Sequence, residues 1–302
     1  MNKTFVFSIM LISVFLLTSC GEGQQQTTSG GVFIGGTEGV VASFEPFSIK
    51  EENIYTIFDT EDFPIEVVLK NKGEETVPVG KVILKLLGPA KEDFQNIPQW
   101  QVLNKEEILK KSEFNPDGGE EIVSFTPTNA RYMALVTGFT DLTWNLEYMY
   151  DYKTHAIIND VCFKGDFTDP KVCEAQGDKT YAVSGAPISV TSVSQDTAGR
   201  GVILLKIRIK NVGKGQSTIA GKDFDERFSQ VSFTIDEAAR WECKSGGRQN
   251  EARLVNGEAE IICRLRTAVP EEDVYTKSVR VTFDYKYKEL IQEKLRIKES
   301  AE

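Results

Sequence analysis

Apolar and polar residues alternate along most of this chain with a period of two. Ile65-Glu66-Val67-Val68-Leu69-Lys70-Asn71-Lys72-Gly73 and Leu205-Lys206-Ile207-Arg208-Ile209-Lys210-Asn211-Val212-Gly213 both follow this pattern and both end in Lys-Asn-x-Gly. Alternation of this kind marks a strand with one face buried, and Asn-x-Gly closes it with residues that accept turn and left-handed geometry. The same signal recurs over Lys81 to Leu87, Thr143 to Lys153, Gly201 to Lys210, Gln230 to Ile235 and Ser278 to Lys288. In a final strand, Leu295 and Ile297 alternate with Lys294, Arg296 and Lys298. One segment breaks the pattern. Asn104 to Lys111 predicts one or two helical turns within a loop, with Asn104 and Glu107 placed as a capping box.

The strand pattern is duplicated. Gly119-Glu120-Glu121-Ile122 parallels Gly257-Glu258-Ala259-Glu260-Ile261, and Tyr148-Met149-Tyr150-Asp151-Tyr152 parallels Phe283-Asp284-Tyr285-Lys286-Tyr287. Asn71 precedes Gly119 by 48 residues and Asn211 precedes Gly257 by 46; the steps on to Tyr152 and Tyr287 are 33 and 30. Three collinear markers at near-equal spacing define two copies of one unit. Short alternating strands over 100–150 residues predict an antiparallel sandwich. The fold class expected is therefore all-β, with two tandem immunoglobulin-like β-sandwich domains over 38–184 and 185–302 and a minor short helix in a loop.

The strand ends bring a resemblance. Lys-Asn-x-Gly at Asn71 and Asn211 resembles cell-adhesion-related immunoglobulin-like modules of prokaryotic surface proteins. Together with Gly36-Thr37-Glu38-Gly39-Val40-Val41, Gly185-Ala186-Pro187 and Leu254-Val255-Asn256-Gly257, the chain is similar to an uncharacterised group of secreted or lipid-anchored archaeal proteins with two such domains. The resemblance implies a two-sandwich surface protein. Its motifs mark folding rather than chemistry, so it transfers no functional residue.

The N-terminus carries an address. Lys3 precedes thirteen apolar residues, Phe5 to Leu17, and then Leu17-Thr18-Ser19-Cys20. Thirteen residues at a helical rise are too short for a bilayer core of about 30 Å, so 1–19 is read as a signal peptide. Small residues before Cys20 resemble a lipobox, which implies cleavage before Cys20 and a lipid on its thiol. Residues 20–37 then form the anchor and a polar tether rich in Gly, Gln, Ser and Thr. The location expected is the extracytoplasmic side of the cell membrane.

Five cysteines would leave one over in an oxidising compartment. Assigning Cys20 to lipid leaves Cys162, Cys173, Cys243 and Cys263, with three connectivities open. Cys162–Cys173 and Cys243–Cys263 are the pairs that stay within one unit each. A four-cysteine zinc site, the competing reading, lacks the short ligand spacing that such sites use.

Charge and chemistry narrow the function. Against 35 Lys and Arg stand 45 Asp and Glu, a net charge of −10, which suits nucleic acid poorly because phosphate neutralisation supplies most of that affinity. The sole histidine, His155, reads as an exposed residue at a strand end or hairpin tip with no orienting partner for base catalysis. Gly215 to Asp223 has the wrong spacing for a phosphate loop. Three acidic groups, Asp59/Glu61/Asp62, Asp223/Asp225/Glu226 and Asp166/Asp169, could offer calcium oxygen ligands, but read better as solvated loop carboxylates. Trp144, Leu146, Tyr148, Tyr150 and Tyr152, with Phe283, Tyr285 and Tyr287, form aromatic stripes opposite polar faces, and are read as core. Lys206, Arg208 and Lys210, and Lys294, Arg296 and Lys298, are read as solubilising rows. No enzyme, cofactor or metal is expected.

The function expected is a non-enzymatic surface lipoprotein that presents loops or a sheet face to an envelope protein or polymer. Two alternatives stand beside it. One is a carbohydrate- or calcium-dependent binding module using the acidic loops with Trp100, Trp144 and Trp241; the other is an assembly subunit that polymerises by strand-edge pairing.

Overall fold

Alternation becomes strand along nearly the whole chain, in a computed structural model that describes residues 32–168 and 172–301. Among the described residues the helical elements are two 3-10 turns, Lys91–Asp93 and Ala238–Arg240, and no helix is long and apolar enough to cross a membrane. The fold is all-β. The helical turns expected over 104–111 do not form, because Asn104 serves a different purpose. Its buried side chain accepts from the Val82 amide and donates to the Pro78 and Glu106 carbonyls, pinning a loop whose Ile108 bridges to Val77.

Two strands dominate. Phe139–Lys164 and Val274–Lys298 are 26 and 25 residues long and pair antiparallel from end to end. At about 3.3 Å per residue each spans roughly 80 Å. Together they form the spine of a ten-stranded sheet. At one end the spine is flanked by Val82–Gly88 and, in parallel, by Ile54–Phe58; at the other by Tyr181–Val183, Ser229–Ile235 and Gln216–Thr218. A three-stranded sheet of Val40–Phe44, Glu66–Asn71 and Glu120–Ser124 covers the first end. A six-stranded sheet containing Ile188–Thr197, Ile203–Asn211, Glu258–Leu265 and Trp241–Ser245 covers the second.

The two long strands are the same element of the two copies, offset by 135 residues, since Tyr152 corresponds to Tyr287. Tyr150 lies opposite Tyr287 and Tyr152 opposite Tyr285, with Asp151 facing Lys286 between them. The pairing maps onto itself when the copies are exchanged, which is the signature of an isologous, twofold contact. Each long strand therefore starts in its own sandwich and continues into the other. Residues 289–298 pair with 139–148 and with Ile54–Phe58, so Leu295 and Ile297 are fully buried beside the first unit's strands. Residues 154–164 do the reverse: Ile158, Val161 and Phe163 are buried at the second unit's end.

Both faces of the spine specify this register. Inward, Trp144, Leu146, Tyr148, Tyr150, Tyr152, Phe283, Tyr285 and Tyr287 are all at most 2% exposed, so the aromatic stripes are core. Outward, Asp141 pairs with Arg296, Asn145 with Gln292, Glu147 with Lys288 and Lys153 with Asp284. A one-residue slip would bury the charges and expose the rings, which is what sets strand register so firmly. The disulfides Cys162–Cys173 and Cys243–Cys263 both form, with Cα separations of 5.7 and 3.9 Å.

Candidate functional site

The Lys-Asn-x-Gly motif builds the same hydrogen-bond node twice. In the first copy the Tyr152 hydroxyl donates to Asn71 Oδ1 (2.9 Å) and accepts from the Glu75 amide, while the Gly73 amide also donates to Asn71 Oδ1. Asn71 Nδ2 donates to the Glu75 and Ile108 carbonyls, and the Asn71 amide donates to the Gly119 carbonyl. In the second copy the Tyr287 hydroxyl donates to Asn211 Oδ1 (2.9 Å) and accepts from the Gly215 amide; Asn211 Nδ2 donates to the Gly215 carbonyl and the Asn211 amide to Gly257. The three markers that defined the repeat thus meet in space in both copies. The motif's glycine is required by proximity rather than by left-handed backbone: a Cβ on Gly73 or Gly213 would fall on the tyrosine hydroxyl.

Residues 34–36, placed in the tether by composition, dock on this region. The Glu74 carboxylate accepts from the amides of Ile34, Gly35 and Gly185, at 2.9, 2.8 and 2.6 Å. Cys20, the signal peptide and 20–31 lie outside the described residues.

The copies differ at the seam between their covering sheet and the spine. In the second unit side chains stitch it shut. Thr154 Oγ1 donates to the Ile188 carbonyl (2.7 Å) and meets the Tyr285 hydroxyl (2.9 Å). Gln195 reaches across to accept from the Cys162 amide and donate to its carbonyl. The counterparts of Thr154, Phe283 and Tyr285 in the first unit are Glu289, Tyr148 and Tyr150. There the seam gapes into a cleft of about 650 Å³, lined by Val41, Ala42, Tyr148, Lys214, Glu289 and Ile291 among others. Among the described residues the buried Tyr150 hydroxyl has no partner.

The cleft has an unusual electrostatic centre. Glu289 points to the inner side of the spine, opposite Tyr148 in the ladder, yet is only half-buried because nothing seals it. Burial, reinforced by Glu38, raises its carboxyl above the ordinary range, while the Tyr148 hydroxyl and Lys214 oppose the shift. Burial first and then Glu289 raise the Tyr148 phenol well above its usual value, against the pull of the Ala42 amide. Among the described residues Glu289 forms no ion pair; Lys70 and Lys72 on the rim are already held by Glu120 and Glu38. One side of Val40–Phe44 is bonded to Glu66–Asn71, and the other is a sheet edge beside this cleft.

Other residues singled out from sequence are placed as follows. His155 is not at a hairpin tip: it sits mid-strand on the outer face, with Nδ1 3.3 Å from Thr282 Oγ1 and Nε2 3.3 Å from Glu75 Oε2. The run Lys153-Thr154-His155 looked like a turn because a polar residue, Thr154, occupies an inward slot. Trp144 and Trp241 are buried, at 0% and 3%, and Trp100 stacks on Trp144, so the three do not form a surface platform. Most acidic-loop carboxylates serve the fold. Asp62 pairs with Arg131, Asp225 with Arg227 and Glu226 with Lys288; Glu61 caps the Phe58 amide, Asp59 the Ser300 amide and Asp166 the Thr168 amide. Asp169 lies outside the described residues. Lys206, Arg208 and Lys210 are matched by Asp196, Glu260 and Glu258, and Arg296 and Lys298 by Asp141 and Glu51. The cleft itself escaped sequence reading. Its signal is Glu289, at the inward position that follows the aromatic run Phe283, Tyr285 and Tyr287.

No family model matches the chain, and no curated protein matches it. Among solved structures it is similar to the secreted serine protease VesC from Vibrio cholerae, at 9% identity and a TM-score of 0.20, covering 81% of this chain. The chain spans about half the length of that protein (50%). A likeness of that degree carries no argument about fold or activity.

Proposed function

We propose that this chain is a non-catalytic, lipid-anchored surface protein that binds an envelope protein or polymer through the first unit. Cys20 carries the lipid, the polar segment after it gives reach, and the paired sandwiches form one stiff body joined by the shared spine. The observation that supports this reading is the contrast between the copies. A seam that side chains stitch closed in one unit is open in the other, and its centre holds a carboxylate in place of a threonine. A duplicated fold that keeps its core and its hydrogen-bond nodes but opens one seam has the form of a binding module.

The test has two parts. Mass spectrometry of the native protein should find a diacylated Cys20 as the first residue, and pulldown from membranes should enrich a partner that the Glu289→Thr variant loses. Recovery of an unprocessed intracellular chain would overturn the surface assignment. Equal enrichment by both forms would overturn the assignment of binding to the cleft.

A further inference from the structure

We propose that the open seam of the first unit is a groove for an extended, lysine- or arginine-bearing peptide segment. The segment adds as a strand to the free edge of Val40–Phe44 and places a basic side chain on Glu289. This rests on the reading of the protein as a binding module and names the chemistry of its partner.

Backbone comes first. Val40–Phe44 has a strand on one side only, so its other side is an unpaired sheet edge, the template used whenever a peptide augments a sheet; the Ala42 amide acts on the Tyr148 hydroxyl, a contact an added strand would replace. The corresponding strand of the second unit, Ile188–Thr197, is engaged on that side by the Thr154 hydroxyl at Ile188 and by backbone pairing of Gly177–Asp178 with Ser194 and Gln195, so the second seam is closed to such an addition. The second unit thus already carries on this edge a short strand that the first unit lacks.

Charge selects the side chain. Thr154 in the closed unit is fully satisfied by neutral partners, whereas Glu289 in the open one is partly desolvated and forms no ion pair among the described residues, Lys214 on the cleft lining acting on it without contact. Taking a carboxylate out of water costs free energy unless a cation and hydrogen bonds replace the lost solvation. The Tyr148 hydroxyl, which the corresponding Phe283 lacks, acts on the same carboxyl from the opposite position of the ladder. A ligand ammonium or guanidinium completes the set. Apolar contacts from Val41, Ala42 and Ile291 then receive the alternate side chains of an extended segment.

The experiment uses purified full-length mature protein and fluorescein-labelled hexapeptides alternating Val with Lys, Val with Ser or Val with Glu, read by fluorescence anisotropy. The Val-Lys peptide should bind at least tenfold more tightly than the Val-Ser peptide, with the Val-Glu peptide weakest. Glu289→Thr, which copies the closed unit's residue and so suits the fold, should remove that preference, as should Glu289→Gln. A Val-Lys peptide N-methylated at alternate amides should lose at least tenfold in affinity. Equal binding of the three peptides, no binding at millimolar concentration, or an unchanged preference in both Glu289 variants would overturn the proposal. Full binding of the N-methylated peptide would overturn the strand-addition part. A protein with an unlipidated Cys20 that still prefers Val-Lys would sink the surface assignment and leave the groove standing.

Discussion

Replacing Asn71 and Asn211 with alanine, one at a time, tests whether the twin nodes hold the fold together. Asn71 is fully buried and its side chain makes four hydrogen bonds: it accepts from Tyr152 and Gly73, and donates to Glu75 and Ile108. Truncation leaves a buried phenol, an amide and two carbonyls each short of a partner. A typical net hydrogen bond is worth about 1 kcal/mol and an orphaned buried group costs about 1–3 kcal/mol, but neighbouring losses do not add fully. Asn71→Ala should therefore destabilise by about 3–5 kcal/mol. Asn211 makes three such bonds, to Tyr287, Gly213 and Gly215, and is only half-buried, so water can repair part of the loss. Asn211→Ala should cost about 1.5–3 kcal/mol. Urea unfolding of both variants, followed by near-UV circular dichroism and intrinsic fluorescence, gives the comparison. Equal losses, or a loss below 1 kcal/mol for Asn71→Ala, would refute the assignment of the nodes as structural centres.

Further outcomes follow from the same geometry. Gly73→Ala and Gly213→Ala should each destabilise by about 1–3 kcal/mol in thermal melts, by overpacking; Tyr287→Phe should recover part of the Gly213→Ala loss, whereas Tyr152→Phe should recover little at Gly73, where a Cβ also meets the Glu38 and Gly185 carbonyls. Removing the Cys243–Cys263 bridge, whose cysteines are 20 residues apart, should cost about 3 kcal/mol, measurable as a lowered denaturation midpoint. Glu289→Gln should be more stable than wild type by a margin that grows with pH. A carboxyl whose folded-state pKa is raised lets the folded state hold more protons, so wild-type stability falls as pH climbs from the ordinary carboxylate range through the raised value. Glu38, Lys214, Tyr148 and Tyr287 face the same carboxyl. A margin that is flat or shrinks with pH contradicts the desolvation of Glu289.

The all-β class and the duplication were legible because they depend on local pattern: alternation, punctuating glycines, and markers whose spacing survives in both copies. The extent of the long strands was not. Thr154 in one and Glu289 and Glu293 in the other put polar groups at inward positions, so the alternation of the sequence breaks off near Lys153 and Lys288. In space those slots lie where each strand passes from its own sandwich into its neighbour's. Their polarity is answered by Ile188 and Tyr285 in one case, and by an open cleft with Lys50 near Glu293 in the other. Asn104 misled for a related reason. Its side chain satisfies amides and carbonyls distant in sequence, which a local capping pattern does not reveal. Long-range pairing, and with it the cleft, needs coordinates.

Because the last ten residues of the spine supply Leu295 and Ile297 to the first sandwich and a parallel neighbour to Ile54–Phe58, the beginning of the polypeptide waits for its end. A ribosome or an export channel that has released only the first half has released a sandwich with a missing stave. Vectorial maturation, one sandwich after another, is closed to this architecture, because the first sandwich is incomplete until residues 289–298 are available. On the proposed route across a membrane, such late closure would be a built-in delay.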